Sequence, residues 1–123
     1  MVRDPVVPAG PAQRVLRWGL GSSPININLK QPYVYMLASK KNGTIYVGVT
    51  SDLVKRVWQH KNDLAAGFTK EHQVHTLVWY EAHETMESAI AREKNIKAWK
   101  RLWKLTLIEN SNLDWYDLYD QIV

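Results

Sequence analysis

Tyr35 and Tyr46 are the residues of this chain whose types and spacing point most directly to chemistry. Each lies in a run of alternating β-branched and aromatic residues, and the two runs are joined through Lys41-Asn42-Gly43. Asn-Gly tolerates the positive φ angles of tight turns, so the pattern predicts a β-hairpin that holds both phenols on neighbouring strands. Two phenols side by side could accept a proton or donate hydrogen bonds to phosphate, although ordinary packing of strand aromatics would give the same pattern.

Arg56 and His60 stand four residues apart on the helix expected after the second strand, so they share one face. The guanidinium could pair with a phosphate, and the imidazole could lie beside a hydroxyl or a water. A solvated basic face is the alternative, because Lys55 and Lys61 are close neighbours and charged residues usually occupy the outer face of a helix.

Glu93 lies in the middle of an apolar helical stripe, four residues after Ala89 and three before Ile96. An ionised carboxylate aimed at the core must be paired, hydrogen-bonded or bound to a metal ion. A salt bridge to Lys97, one turn further on, is the structural alternative.

The order of the predicted elements indicates the fold that must position these residues. Strands are predicted at about 33–38, 44–49 and 74–81. One helix opens after Ser51-Asp52 and runs to about residue 65 with Gly67 just past its end, and a long helix capped by Thr85 runs from 86 to about 103. One or two short helices fill 104–123. The order β-β-α-β-α-α predicts an α+β fold, a small three-stranded antiparallel sheet with helices packed on it.

Helical spacing also predicts which side chains face inward. In the first helix the predicted inward residues are Leu53, Val57 and Leu64, with Val54 and Trp58 at the sides. In the long helix they are Met86, Ala89, Ile90, Ile96, Trp99 and Trp103.

The composition fits one compact domain preceded by a tail. The 123 residues are 46% apolar, which is enough for one core. Pro5, Pro8 and Pro11, followed by a second breaker-rich stretch at 19–24, predict a flexible N-terminal tail over 1–30 and a domain over 31–123. Within that tail, 25–29 alternates like a strand and could add to a sheet edge.

The charge and the cysteine content limit the locations and the partners that are expected for the protein. The chain has no cysteine, which excludes disulfides and thiolate metal sites and fits a cytoplasmic location. Its formal net charge of +4 favours polyanionic partners, and no apolar run approaches the length of a membrane span.

The order and spacing of these residues resemble the GIY-YIG nuclease family over residues 32 to about 110. Tyr33-Val34-Tyr35 stands at the family's first triplet and Tyr46-Val47-Gly48 at the second, so that Gly48 is the motif glycine. Residues 50–56 resemble the stretch leading to the family's helical arginine, Arg56. His60 falls where members carry His or Tyr, and 91–97 resembles the segment bearing the catalytic glutamate, Glu93. The resemblance is to small stand-alone bacterial members, similar to the N-terminal cutting domain of the excision-repair incision subunit.

The resemblance implies a DNA endonuclease that hydrolyses phosphodiester bonds with a metal ion. Glu93 would supply one carboxylate to Mg²⁺ or Mn²⁺, which would otherwise keep waters and phosphate oxygens. Tyr46 would act as the general base for the attacking water or relay its proton to His60, and Tyr35 with His60 would orient that water. Arg56 would neutralise charge that develops on the phosphate.

Three positions depart from the family pattern or leave it open. Tyr33 replaces the first glycine, which a strand position tolerates, and Val49 replaces a lysine that many members carry, so a cation is missing there. Asn112 is a candidate for the asparagine that members use downstream of the glutamate. The alternative function is a non-catalytic nucleic-acid-binding or adaptor domain, and a third is an interaction domain that docks through the Trp-rich C-terminal segment.

Positive charge on the long helix predicts how nucleic acid would be held. The candidate residues for contact with the phosphate backbone are Lys94, Lys97, Lys100, Arg101 and Lys104. A solvated helix face is the alternative. Since no sequence-reading module accompanies the domain, DNA structure or a protein partner would have to supply specificity. Branched, nicked or single-stranded DNA is the expected substrate, with RNA as a second choice.

Overall fold

A computed structural model of the chain describes residues 31–65 and 67–123. The predicted tail at 1–30, with its strand-like run at 25–29, lies outside the described residues. Three strands, β1 (Tyr33–Ala38), β2 (Ile45–Thr50) and β3 (Thr76–Ala82), form one antiparallel sheet in the order β2-β1-β3. Helices pack on this sheet, so the predicted α+β fold class is confirmed.

The hairpin between β1 and β2 forms at the predicted turn. Asn42 has a φ of 60°, and the Ser39 amide donates to the Thr44 carbonyl at 3.0 Å. In the resulting register Tyr35 stands opposite Gly48, and Leu37 stands opposite Tyr46. Because side chains alternate along a strand, Tyr35 and Tyr46 point to the same face of the sheet as diagonal neighbours.

Five helices complete the described part of the chain. They are α1 (Leu53–Lys61), α2 (Phe68–His72), α3 (Met86–Ala98), α4 (Arg101–Ser111) and α5 (Tyr119–Ile122). The predicted caps are confirmed, since the Asp52 side chain accepts from the Lys55 amide at 3.2 Å and the Thr85 side chain from the Ser88 amide at 3.0 Å. None of the helices in the described ranges is long and apolar enough to cross a membrane.

The sheet separates two apolar clusters. On one face, the helices α3 and α4 pack against inward side chains of the strands, and the cluster includes Val34, Met36, Val47, Trp79, Ala89, Ile96, Leu107 and Ile108. On the other face, α1 and the C-terminal α5 pack against a cluster that includes Tyr35, Leu37, Leu53, Val57, Val74, Leu77 and Tyr80. The candidate tyrosines therefore lie in the layer that α1 covers.

The first helix ends four residues earlier than predicted. The Asn62 amide donates to the Trp58 carbonyl at 3.1 Å, and Asp63 turns the chain with a φ of 56°. Gly67, with a φ of 88°, then precedes the unpredicted α2 instead of closing α1. The predicted inward position of Leu64 is therefore wrong, because its side chain is 63% exposed.

The buried stripe of α1 is also narrower than predicted. Val54 and Trp58 are exposed. His60 occupies the inward position one turn after Val57 and is buried with only 2% exposure. The spacing of residues 53, 57 and 60 is that of one helical face, so a histidine completes the stripe.

The long helix predicted over 86–103 is wrong, because the chain breaks it at Trp99 and Lys100. Both residues have extended backbones, with ψ of 157° and 152°. A straight helix over 86–111 would be about 39 Å long, whereas strands of this length span roughly 20 Å. The break lets α3 cover β1 and β2 while α4 turns onto β3. The predicted inward position of Ile90 is also wrong, because its side chain is exposed.

Candidate active site

Tyr35, His60 and Thr69 form a chain of hydrogen bonds inside the α1 layer. The Tyr35 hydroxyl lies 3.0 Å from His60 Nε2, and His60 Nδ1 lies 3.0 Å from Thr69 Oγ1. A neutral imidazole donates through one ring nitrogen and accepts through the other, so both nitrogens of His60 are engaged. These hydrogen bonds connect β1, α1 and α2.

Gly48 makes room for the ring of Tyr35. A Cβ at position 48 would lie 2.5 Å from the Tyr35 hydroxyl oxygen and 2.6 Å from Cζ of the same ring. Contacts this short are not tolerated between well-packed atoms. Gly48 of the second triplet is therefore needed to leave space for the ring of Tyr35 of the first triplet.

Burial sets the protonation states of this chain of hydrogen bonds. Desolvation raises the pKa of Tyr35 far above its ordinary value of 10, Tyr46 adds to the rise, and the Arg56 guanidinium opposes it without cancelling it. Desolvation, with the charges of Arg56 and His75, lowers the pKa of His60 from 6.5 to about 4. Near neutral pH, Tyr35 is therefore a protonated phenol and His60 is an uncharged imidazole.

Tyr46 is the outer tyrosine of the pair. Its ring centroid lies 6.2 Å from that of Tyr35 and 5.3 Å from that of His60. On its other side, the Phe68 ring lies at 6.2 Å with an interplanar angle of 27°. Tyr46 is only half-buried, whereas Tyr35 is buried. Tyr46 is therefore the phenol that a solvent molecule or a phosphate can reach.

Arg56 stands beside the same cluster, one helical turn before His60. It is half-buried, and its Nη1 donates to Gln59 Oε1 at 3.3 Å. Its positive charge acts on the pKa values of both Tyr35 and His60. The fold thus brings together four of the sequence-predicted site residues, which are Tyr35, Tyr46, Arg56 and His60.

Glu93 lies in the opposite layer of the fold. It lies on α3, whose buried residues Ala89 and Ile96 pack on the other side of β1 and β2. Its side chain is 12% exposed, and Oε2 lies 2.5 Å from the ammonium of Lys97. The ion pair named as the structural alternative is therefore present. Since β2 is an edge strand, Tyr46 on one face and α3 on the other flank the same edge of the sheet.

Asn112 forms hydrogen bonds that hold the turn after α4. Its Nδ2 donates to the carbonyls of Val78 at 3.1 Å and Tyr116 at 2.8 Å, and its Oδ1 accepts from the Tyr116 amide at 2.9 Å. These backbone groups engage the buried amide at both ends. The geometry gives Asn112 a structural part, in which it fastens the turn after α4 to β3.

The five cations on α3 and α4 differ in their surroundings. Arg101 donates to the carbonyls of Asn42 at 2.9 Å and Gly43 at 2.7 Å, so it holds the hairpin turn. Lys104 lies 3.4 Å from the Lys97 carbonyl, and burial together with Arg101 lowers its pKa. Lys94 and Lys100 are exposed, and the Lys100 ammonium lies 5.8 Å from the centroid of the Trp103 ring.

Three engaged side chains were not identified from the sequence, namely those of Phe68, Thr69 and Glu81. Thr69 and Phe68 come from α2, and no local pattern marks them, because their partners His60 and Tyr46 are distant in sequence. The buried carboxylate of Glu81 accepts from Arg92 Nε at 3.1 Å and from His83 Nε2 at 2.8 Å. Alternation along β3 places Glu81 on the same face as the buried Trp79, and that signal could have revealed it.

The described residues offer few ligands to a divalent cation. Within residues 31–65 and 67–123, no three His, Asp or Glu side chains gather to hold a metal ion. Mg²⁺ keeps several waters and is commonly bound through one or two carboxylates plus substrate phosphates. Glu93 on α3 offers one such carboxylate, which Lys97 now pairs with, so the residues fit a Mg²⁺ held mainly by water and substrate.

Comparison with protein families gives a match to the GIY-YIG catalytic domain over residues 31–106. The chain therefore belongs to the GIY-YIG family, whose catalytic domain is of nuclease type, and the resemblance seen in the sequence is confirmed. Nucleic-acid binding and a general use of divalent metal ions are properties of this family.

The chain is also similar to small bacterial proteins. The UPF0213 protein SSP2268 of Staphylococcus saprophyticus is 37% identical over 76 residues, which cover 62% of this chain and 92% of that protein. UPF0213 proteins of Staphylococcus epidermidis and Staphylococcus aureus are 34% and 35% identical over 77 residues, covering 63% of this chain and 93% of theirs. No solved structure matches the chain.

Proposed function

We propose that this protein is a metal-dependent endonuclease that hydrolyses phosphodiester bonds in DNA. The observation that carries the proposal is the arrangement of two tyrosines in a GIY-YIG domain, one buried and protonated, the other half-buried beside Arg56 and His60. In such a pair, the buried Tyr35 would position its neighbours and the half-buried Tyr46 would react.

Tyr46 is the general base in this proposal. Its access to solvent allows contact with an attacking water, which the buried Tyr35 lacks. Phenols ordinarily titrate near pH 10, so neighbouring positive charge has to favour the phenolate during the reaction. Arg56, whose charge acts on the adjacent Tyr35 and His60, would provide such charge and would also stabilise charge that builds up on the phosphate.

Tyr35 and His60 are positioning residues in this proposal. A histidine whose pKa is about 4 and whose ring nitrogens are both engaged is a poor acceptor for the proton from Tyr46. The sequence left open a relay from Tyr46 to His60, and these properties favour direct base catalysis by Tyr46 instead. His60 then fixes the Tyr35 ring, against which Tyr46 is placed.

Glu93 would hold the divalent cation. When bound, such a cation polarises phosphoryl oxygens and neutralises negative charge in the transition state. Lys97 now pairs with this carboxylate, so it would have to swing away and would then be free to contact a backbone phosphate. Lys94 and Lys100, exposed on and after the same helix, would extend this contact along the nucleic acid.

A non-catalytic nucleic-acid-binding domain is the second candidate, and Val49 favours it. Its side chain lies in the apolar contact with the α3 layer, where many members of the family carry a cation. Specificity in either case would come from nucleic-acid structure or a protein partner.

The two candidates are separated by a cleavage assay on labelled linear, nicked, flap, branched and single-stranded DNA, and on RNA, with Mg²⁺ or Mn²⁺. Tyr46→Phe and Glu93→Gln are compared with Tyr116→Phe and Glu87→Gln, which alter exposed residues of the same types. Metal-dependent products that disappear only in the first two variants are expected. Binding by all five proteins without any product would support the non-catalytic candidate.

A further inference from the structure

A row of aromatic rings leads from the buried hydrogen-bond chain to the protein surface. The Tyr46 ring lies between His60 and Phe68, and beyond Phe68 the His72 ring follows with a centroid distance of 4.2 Å. Phe68 is 43% exposed at the outer part of this row. The row therefore presents an apolar ring to solvent next to the tyrosine proposed as the base.

The helix that carries Phe68 is held firmly in place. Thr69, the next residue, is buried and shares a hydrogen bond of 3.0 Å with His60, and its carbonyl accepts from the Val74 amide at 3.0 Å. These hydrogen bonds hold α2 against His60, while the Phe68 ring remains partly exposed to solvent. A ring placed in this way is preorganised to bind a flat ligand.

We propose that Phe68 and His72 form a stacking site for an unpaired nucleobase next to the phosphate that is cleaved. The proposal rests on the endonuclease function, because it places the base beside Tyr46. Every nucleobase has a π face that stacks on aromatic side chains without regard to sequence. Lys70 is exposed two residues after Phe68 on the same short helix, and the charge of Arg56 acts at the inner end of the row, on Tyr35 and His60. Such positive charge suits the phosphates flanking a base.

The site selects a class of substrate. A base inside a duplex is already stacked on both sides, so it must be extruded or unpaired before it can lie on a protein ring. Single strands, flaps, gaps and bulges meet this condition, and continuous duplex does not. One partly exposed ring is far smaller than the area that stable protein–protein interfaces bury, which favours a base over a protein partner.

The first test measures binding in the presence of EDTA, so that affinity is read without cleavage. Fluorescence anisotropy compares a labelled single strand with the matching duplex for the parent protein, Phe68→Leu, Phe68→Tyr and Tyr116→Leu. Phe68→Leu keeps an apolar contact with Tyr46 but removes the π face. We expect it to weaken single-strand binding by about 5- to 150-fold, the range of base–aromatic stacking, with little change for duplex. Phe68→Tyr and Tyr116→Leu should bind as the parent does.

The second test places one abasic site at each position of the single strand in turn. For the parent, affinity should fall when the stacked base is removed, at a position next to the bond that is cleaved. Phe68→Leu should be insensitive to the same change. Thermal unfolding of each variant shows whether the fold is kept. If Phe68→Leu does not fold, His72→Ala, which removes the exposed outer ring of the same site, is measured in its place and should also weaken single-strand binding.

The outcomes separate the stacking site from the hydrolytic function. If Phe68→Leu and the parent bind single strands equally and respond equally to abasic sites, the stacking site is overturned even if both cut DNA. If binding depends on Phe68 but the parent never cuts with Mg²⁺ or Mn²⁺, the stacking site stands and the endonuclease function fails.

Discussion

The Tyr35 hydroxyl lies 3.0 Å from Nε2 of His60, between the middle strand and the first helix. Tyr46, in contrast, is half-buried and touches the same imidazole through its ring. The two tyrosines should therefore respond differently to the loss of their hydroxyl groups, although both stand in family triplets.

Tyr35→Phe should lower stability more than Tyr46→Phe does. Losing the Tyr35 hydroxyl leaves a buried imidazole nitrogen without its partner, which costs about 1–3 kcal/mol. Tyr46→Phe should change stability by less than about 0.5 kcal/mol but lower the cleavage rate by about 10²- to 10⁴-fold, the usual contribution of a general base. Urea unfolding and single-turnover cleavage measure the two effects. A Tyr46→Phe protein that cuts as fast as the parent would remove Tyr46 from the role of base.

Gly48→Ala should displace the ring of Tyr35. The added Cβ would lie 2.6 Å from Cζ of that ring, and overpacking of this kind typically costs about 1–3 kcal/mol. The matched test is a double-mutant cycle with Tyr35→Leu, which removes the atoms that clash. We expect the double variant to be more stable than the sum of the two single effects allows. Additive effects in urea unfolding would contradict a direct clash between the two positions.

The sequence predicted the hairpin and the two helix caps because each depends on residues close together in the chain. Asn42 adopts the positive φ of its turn, and the side chains of Asp52 and Thr85 cap the helices that follow them. Since the hairpin fixes the register, it also places Tyr35 and Tyr46 on one face. The placement of these two tyrosines can therefore be predicted from the local sequence.

The rest of the candidate site depends on contacts between distant residues. The inward stripe predicted for the first helix omits His60, which is buried with Thr69 and Tyr35 engaging its two ring nitrogens. The break at Trp99 contains neither glycine nor proline, so no residue type marks it in the sequence. The sequence identified the residues, whereas tertiary packing decided which of them are buried.

Acid should weaken the contribution of His60 to stability. The pKa of His60 is lowered from 6.5 to about 4 in the folded protein, so below pH 6.5 the unfolded chain binds a proton that the folded protein resists. The contribution is complete above pH 6.5 and falls by up to about 1.4 kcal/mol per pH unit between pH 6.5 and 4. Urea unfolding of the parent and His60→Gln across this range measures the effect. The stability difference between them should shrink as the pH falls, and a constant difference would mean that His60 titrates normally.

Asn112→Ala should destabilise the protein without lowering the intrinsic cleavage rate. The substitution removes the amide that bonds the carbonyls of Val78 and Tyr116, and leaving such buried groups unpaired costs about 1–3 kcal/mol. The same amide holds the turn that leads to Trp115, whose φ of 59° is unfavourable for a bulky residue. Thermal unfolding combined with single-turnover cleavage well below the unfolding temperature separates stability from chemistry. Asn110→Ala, two residues earlier at an exposed position of α4, is the control and should leave both unchanged. A stable Asn112→Ala protein that binds DNA but cuts it slowly would instead make Asn112 part of the catalytic machinery.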